Sequence, residues 1–247
     1  MNQSPIPKVL STFSKHNVKS LLIGGQACII YGGAEFSRDL DFSLLVTFEN
    51  LENLKNALEE LGAERIFLPD LSEEVLLRGH ACHFRFPKRD PKGVRIDILG
   101  KMREVDTFPS LWNRRKEIEI SGFGTVAVIS LPDLVKSKKT QRDKDWPMIR
   151  RLIEADIFNA PVDPPEEQIR FWLSECRTAE LLIALVEKYS ETAKNLSPQR
   201  PLLTQAISGR ETEIERLLHE EEEYERKLDK EYWDPLKKEL EIWRREK

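Results

Sequence analysis

Long apolar runs are missing from this chain of 247 residues. No stretch approaches the ~18 apolar residues that a membrane span requires, and Met1 to Lys8 lacks the hydrophobic core of a secretory signal. A membrane partner is therefore not expected, and a cytoplasmic location is. Cysteine is scarce as well: Cys28, Cys82 and Cys176 are an odd number at wide spacing, which argues against a disulfide framework and suits a reducing compartment. Paired zinc-ligand clusters are also lacking. His80, Cys82 and His83 put three potential ligands within four residues, yet a strand sends His80 and Cys82 to one face and His83 to the other, and no second cluster follows at finger spacing. What the chain does carry is charge. With 33% charged and 40% hydrophobic residues it has the texture of a soluble globular protein long enough to bury a substantial core.

The most informative segment is Phe36-Ser37-Arg38-Asp39-Leu40-Asp41-Phe42-Ser43-Leu44. Leu40, Phe42 and Leu44 alternate with polar residues, which predicts a strand with one buried face. In such a strand Asp39 and Asp41 point to one side, about 6.7 Å apart along the chain, so both carboxylates can serve the same pair of divalent cations. Thirteen residues separate Asp39 from the Gly24-Gly25 pair, which itself follows the short apolar run Ser20-Leu21-Leu22-Ile23 and opens a helical run from Gln26 to Tyr31. Strand, glycine turn and helix start form an anion site, because backbone N–H groups can approach a triphosphate only where no Cβ intervenes. A third carboxylate is available in Gly93-Val94-Arg95-Ile96-Asp97-Ile98-Leu99, where Val94, Ile96 and Ile98 share one face and Arg95, Asp97 and Leu99 the other.

These residues resemble the nucleotidyltransferase superfamily that includes the DNA polymerase beta palm. Its signature is a hydrophobic residue, Gly-Gly or Gly-Ser, then Asp-x-Asp or Asp-x-Glu, with a later third carboxylate. Ile23-Gly24-Gly25, Asp39-x-Asp41 and Asp97 match it, and the wording around the aspartates is most similar to the AbiEii-type enzymes, often toxins of toxin–antitoxin pairs. The resemblance covers about the first 155 residues. It implies an α+β nucleotidyltransferase fold, a mixed sheet flanked by helices, and transfer of a nucleoside monophosphate from an NTP to an acceptor hydroxyl. Asp39, Asp41 and Asp97 would be the catalytic carboxylates and the ligands of Mg2+ or Mn2+. Gly24, Gly25, Gln26, Ser37 and Arg38 would contact the nucleotide. The block from Asp133 to Trp146 looks like the family's Lys- and Arg-bearing helix pair, with Lys136 or Lys138 stabilising charge on the leaving pyrophosphate.

The net charge of −4 hides a segregation. From Arg85 to Arg151 there are seventeen Lys and Arg against nine Asp and Glu, a balance of +8; from Glu211 to Lys247 the balance is −5. A basic surface beside a triphosphate site suits a polyanionic acceptor such as RNA or tRNA, and equally the triphosphate alone. Protein and small-molecule hydroxyls remain alternative acceptors, and a cognate antitoxin or regulator is a further expected partner. The rival from another class is a non-catalytic, antitoxin-like module that binds nucleotide. Three acids kept together argue against it, since uncompensated carboxylates are costly without a use.

The remaining pattern predicts a nucleotidyltransferase domain over residues 1–157, a linker over 158–168 and a helical region over 169–247. Helices are expected from Pro5 to His16 and from Phe48 to Leu61, where leucines recur at three- and four-residue steps until Gly62. Strands are expected at Val75 to Leu77, Cys82 to Phe86, Val94 to Leu99 and Val126 to Ile129, with a turn from Pro87 to Gly93. Leu131-Pro132-Asp133 opens a helix. Asn159 to Pro165 reads as a stiff linker, Ile169 to Tyr189 as helix broken near Arg177, and Asn195 to Pro201 as a loop. From Ile214 to Trp243 an apolar stripe runs at helical spacing, with a break or kink at Pro235; lacking a strict heptad, it reads as packing on its own protein.

Overall fold

The structure is a computed structural model that describes residues 5–34, 36–86, 93–120 and 124–246. It divides into two compact units. The first comprises residues 1–30, 35–137 and 232–247, the second residues 31–34 and 138–231.

The first unit is built on seven strands: β1 (Ser20–Ile23), β2 (Leu40–Leu44), β3 (Glu64–Arg65), β4 (Ala81–Phe86), β5 (Val94–Leu99), β6 (Lys116–Ile120) and β7 (Gly124–Val128). They form one mixed sheet in the order β3-β4-β5-β2-β1-β7-β6, with β2–β5 and β1–β7 parallel and the other neighbours antiparallel. Its helices are α1 (Pro5–Lys15), α2 (Gly24–Ile30), α3 (Phe48–Leu61), α4 (Glu73–Arg78), α5 (Phe108–Arg114) and α6 (Leu131–Ser137). The α+β class with a mixed sheet and flanking helices is the one expected from the sequence.

Local chemistry accounts for these elements. In α3, Leu51, Leu54, Leu58 and Leu61 are buried, each contributing roughly 2 kcal/mol by leaving water. Thr47 accepts from the Asn50 N–H at its start, and Gly62 at φ 63° ends it with its own N–H turned back to Glu59 and Leu58. Helices α1 and α3 pack together, and the Phe13 ring lies 4.9 Å from that of Phe42. Because Phe42 and Asp41 point to opposite sides of β2, α1 covers the face away from the aspartates.

Two local expectations are corrected. Val75 to Leu77 is not a strand but the middle of α4: Ser72 caps the helix by accepting from the Val75 N–H, Glu73 and Glu74 occupy its first turn, and Gly79 at φ 106° ends it. Asn195 and Leu196 belong to a helix rather than a loop, since α10 (Ser190–Leu196) ends only there. The expected turn from Pro87 to Gly93 falls almost wholly outside the described residues.

The second unit is helical: α7 (Asp145–Phe158), α8 (Glu166–Glu175), α9 (Ala179–Lys188), α10, α11 (Leu202–Ile207) and the first part of α12 (Glu211–Arg245). The break near Arg177 is real, because α8 stops at Glu175 and α9 starts at Ala179. Buried Arg200 stabilises that break by donating to the carbonyls of Leu173 and Cys176, which have no partners within α8. Pro235 lies inside α12 rather than ending it. From Tyr232 onward α12 belongs to the first unit, where Glu239 meets the buried His80 at 2.6 Å. Among the described residues no helix is long and apolar enough to cross a membrane.

Candidate active site

Strand register brings the acids together. Asp41 on β2 pairs with Asp97 on β5 in the parallel ladder, and His83 on β4 pairs with Asp97 from the other side. Side chains at paired positions share a face, so His83, Asp97 and Asp41 form one row across three strands. On the far side of β2, Asp41 pairs with Ile23, the last residue before the glycine turn. Asp39 lies one residue before β2 begins.

The glycine turn fits against this row. Gly24 opens α2 at φ 64°, and a Cβ there would sit 1.9 Å from Oδ2 of Asp41. The N–H of Gly25 donates to the same oxygen at 3.3 Å. A Cβ on Gly25 would meet Oγ of Ser37 at 2.4 Å. The glycines thus serve the close approach of the Asp41 strand to the helix start, a reason the sequence reading did not supply. The segment before β2 is tied down in the same way: Gln26 Nε2 donates to the Ser37 carbonyl at 2.9 Å, and Ser37 Oγ donates to the Asp39 carbonyl at 3.3 Å. Arg38 is exposed and lies 5.5 Å from the Phe36 ring centre.

Asp97 is buried and fully engaged. Its Oδ1 lies 2.8 Å from Nδ1 of His83, and its Oδ2 lies 2.9 Å from Nη2 of Arg95. The same Arg95 nitrogen reaches Oδ2 of Asp39 at 3.0 Å. His83 in turn meets Phe67 edge-on. Arg95 and His83 are the residues the sequence reading left without a role. The alternation of β5 put Arg95 on the Asp97 face, but only the strand pairing brings His83 opposite.

Three carboxylates are hard oxygen donors, the chemistry that Mg2+ and Mn2+ prefer. As donor types, these residues suit a divalent cation. Among the described residues, however, no three His, Cys, Asp or Glu side chains converge on a metal position as they stand. Asp41 is turned to the glycine turn, while Arg95 provides positive charge to Asp39 and Asp97.

The two candidate lysines differ sharply. Lys136 is exposed near the end of α6, and α6 packs against α2. Lys138 belongs to the second unit and is buried, 3.2 Å from the fully buried Asp145. Asp145 also accepts from Thr140 Oγ1 at 2.6 Å and pairs with Arg142 at 2.7 Å. Burial alone would raise its carboxyl pKa, yet the charges of Lys138 and Arg142 outweigh this and hold it below the ordinary aspartate value. Lys139 is likewise paired, with Glu175 at 2.9 Å. The Cys82 thiol is pushed up to about 12 by burial, which removes it as a nucleophile near neutral pH.

No family model matches the chain, and no curated protein does. Among solved structures it is similar to the lincosamide antibiotic adenylyltransferase LnuA with lincomycin bound, at 16% identity over 58% of this chain and 91% of that one, with a TM-score of 0.42. It is also similar to the antibiotic-resistance factor ANT(2'')-Ia, at 16% identity over 78% and 94%, TM-score 0.37. A third is an H. pylori protein described as a nucleotidyltransferase, at 16% identity over 91% and 98%, TM-score 0.41. At these scores the likenesses stand as resemblance alone.

Proposed function

We propose that this protein is a metal-dependent nucleotidyltransferase that moves a nucleoside monophosphate from an NTP to an acceptor hydroxyl. The observation that carries the reading is the facing pair Asp41 and Asp97 on parallel strands, set directly behind a glycine turn that opens a helix. All of the residues assigned to the chemistry fall within the first 157.

Asp39, Asp41 and Asp97 would hold the cations. When bound, these would supply charge for the triphosphate and acidify the acceptor hydroxyl. Asp97, whose Oδ1 meets His83, would accept the hydroxyl proton at Oδ2 once Arg95 is displaced from it, as the acceptor oxygen bonds to the α-phosphorus and the bond to pyrophosphate breaks. Gly24, Gly25, Gln26, Ser37 and Arg38 would contact the nucleotide. Lys136 is the better candidate for the leaving pyrophosphate, since the Lys138 charge is already matched by Asp145. The segregated basic stretch from Arg85 to Arg151 supports RNA or tRNA as the acceptor, and the wording around Asp39 and Asp41 supports an AbiEii-like toxin with a cognate antitoxin.

One observation favours a second reading. Arg95 already neutralises two of the three acids, as a nucleotide-binding regulatory module without bound metal would require. Radiolabelled NTPs incubated with total RNA, total protein and small-molecule pools decide between these. Label on RNA is the expected result. Label on protein or on a small molecule alone eliminates the RNA acceptor, and label in no pool, despite nucleotide binding, favours the regulatory module.

A further inference from the structure

The sheet row of Asp41 and Asp97, together with the neighbouring Asp39, concentrates negative charge on one face of two adjacent strands. Like charges so placed repel and raise the cost of folding unless something compensates them. Arg95 does so from within β5, two residues before Asp97 and on the same face. One of its nitrogens lies 3.0 Å from Oδ2 of Asp39 and 2.9 Å from Oδ2 of Asp97, while its buried Nε has no hydrogen-bond partner. A partly exposed guanidinium paired with carboxylates through one nitrogen, with its covered Nε–H unmet, is positioned by the acids rather than by its own surroundings.

We propose that Arg95 is a built-in counter-ion that bridges Asp39 and Asp97 in the metal-free protein and competes with a divalent cation for the same two oxygens. The inference rests on the carboxylate-metal reading above and adds a cost to it. Carboxylate oxygens already paired with a guanidinium at 3.0 and 2.9 Å leave no room for a cation at the same edge, so a cation must displace Arg95 before it binds. Arg95 is thus a positioning residue that keeps the acid face folded without metal and weakens metal affinity in return.

The test uses the full chain, with Mn2+ alone as probe, titrated calorimetrically, and thermal melting in chelator as a second readout. Arg95→Met is expected to bind Mn2+ about tenfold more tightly than the unaltered protein, to melt lower in chelator and to recover on adding Mn2+. Arg85→Met, which removes a charge from the position paired with Arg95 on β4, is the control for a general field effect and is expected to change affinity less than about twofold. Equal tightening in both variants, or none in Arg95→Met while Asp39→Asn still abolishes binding, overturns the counter-ion role and leaves the metal reading standing. Absence of Mn2+ binding in the unaltered protein and in Arg95→Met alike overturns both. Should Arg95→Met not fold, Arg95→Lys carries the test: it keeps the charge without the planar fork and is expected to tighten Mn2+ about threefold, with unchanged affinity refuting the role.

Discussion

Gly24 and Asp41 are so close that a methyl group on the first would overlap a carboxylate oxygen of the second, at 1.9 Å. Gly24 also stands at φ 64°, a conformation that costs an L-residue about 1–2 kcal/mol. Gly24→Ala should therefore lower stability by more than about 2 kcal/mol, read as a drop in the denaturant midpoint, and should abolish nucleotide binding in whatever fraction folds. A variant as stable as the parent would mean that Asp41 is not held against the turn.

Asn50 links the start of α3 to the strands beside it. Its side chain accepts from the Lys19 N–H at 2.7 Å and donates to the carbonyls of Lys19 at 3.0 Å and Leu45 at 2.8 Å, all from a buried position. Asn50→Ala leaves the Lys19 N–H unmet, while the carbonyls of Lys19 and Leu45 keep the N–H groups of Leu45 and Thr47, and a loss of about 1–3 kcal/mol in equilibrium unfolding is expected. Asn50→Asp, which cannot donate, should recover only part of it.

The second unit should be acid-sensitive through Asp145. Its folded pKa lies below the ordinary value of 3.8, so ionised Asp145 contributes stability above that value, and the contribution is lost as pH falls through the lowered folded pKa. Melting curves of the parent should weaken below about pH 4, while Asp145→Asn should be less stable at neutral pH and show a flatter acid limb. Parallel pH profiles for the two proteins would exclude this role.

Asp97→Asn should abolish transfer while leaving most nucleotide affinity, because its proposed partner is the reacting hydroxyl rather than the triphosphate. Single-turnover assays alongside binding titrations separate the two effects. Equal losses in both would assign Asp97 to nucleotide binding instead.

The sequence disclosed those parts of the fold that periodicity encodes. The leucine steps of α3, ended by Gly62, and the alternation of β2 and β5 are legible because each rests on residues close in the chain. It misled at Val75 to Leu77, where three apolar residues fit a strand as well as a helix and the deciding signals were Ser72 before them and Gly79 after. Strand β6, Lys-Glu-Ile-Glu-Ile, is a five-residue edge strand with no buried residue, so its short alternation carries little signal in the sequence. The row of His83, Asp97 and Asp41 depends on which strands are neighbours, a long-range property that no local pattern carries. For the same reason the sequence exposed Arg95 on the Asp97 face but not its second contact with Asp39.

Calorimetric titration of NTP into the full chain, with and without Mg2+ or Mn2+, tests the central claim most directly. Binding should require the divalent cation and should be lost in Asp39→Asn and in Asp41→Asn, with both variants retaining the parent's folded spectrum. Binding of equal strength without metal, or undiminished in either variant, would contradict the account.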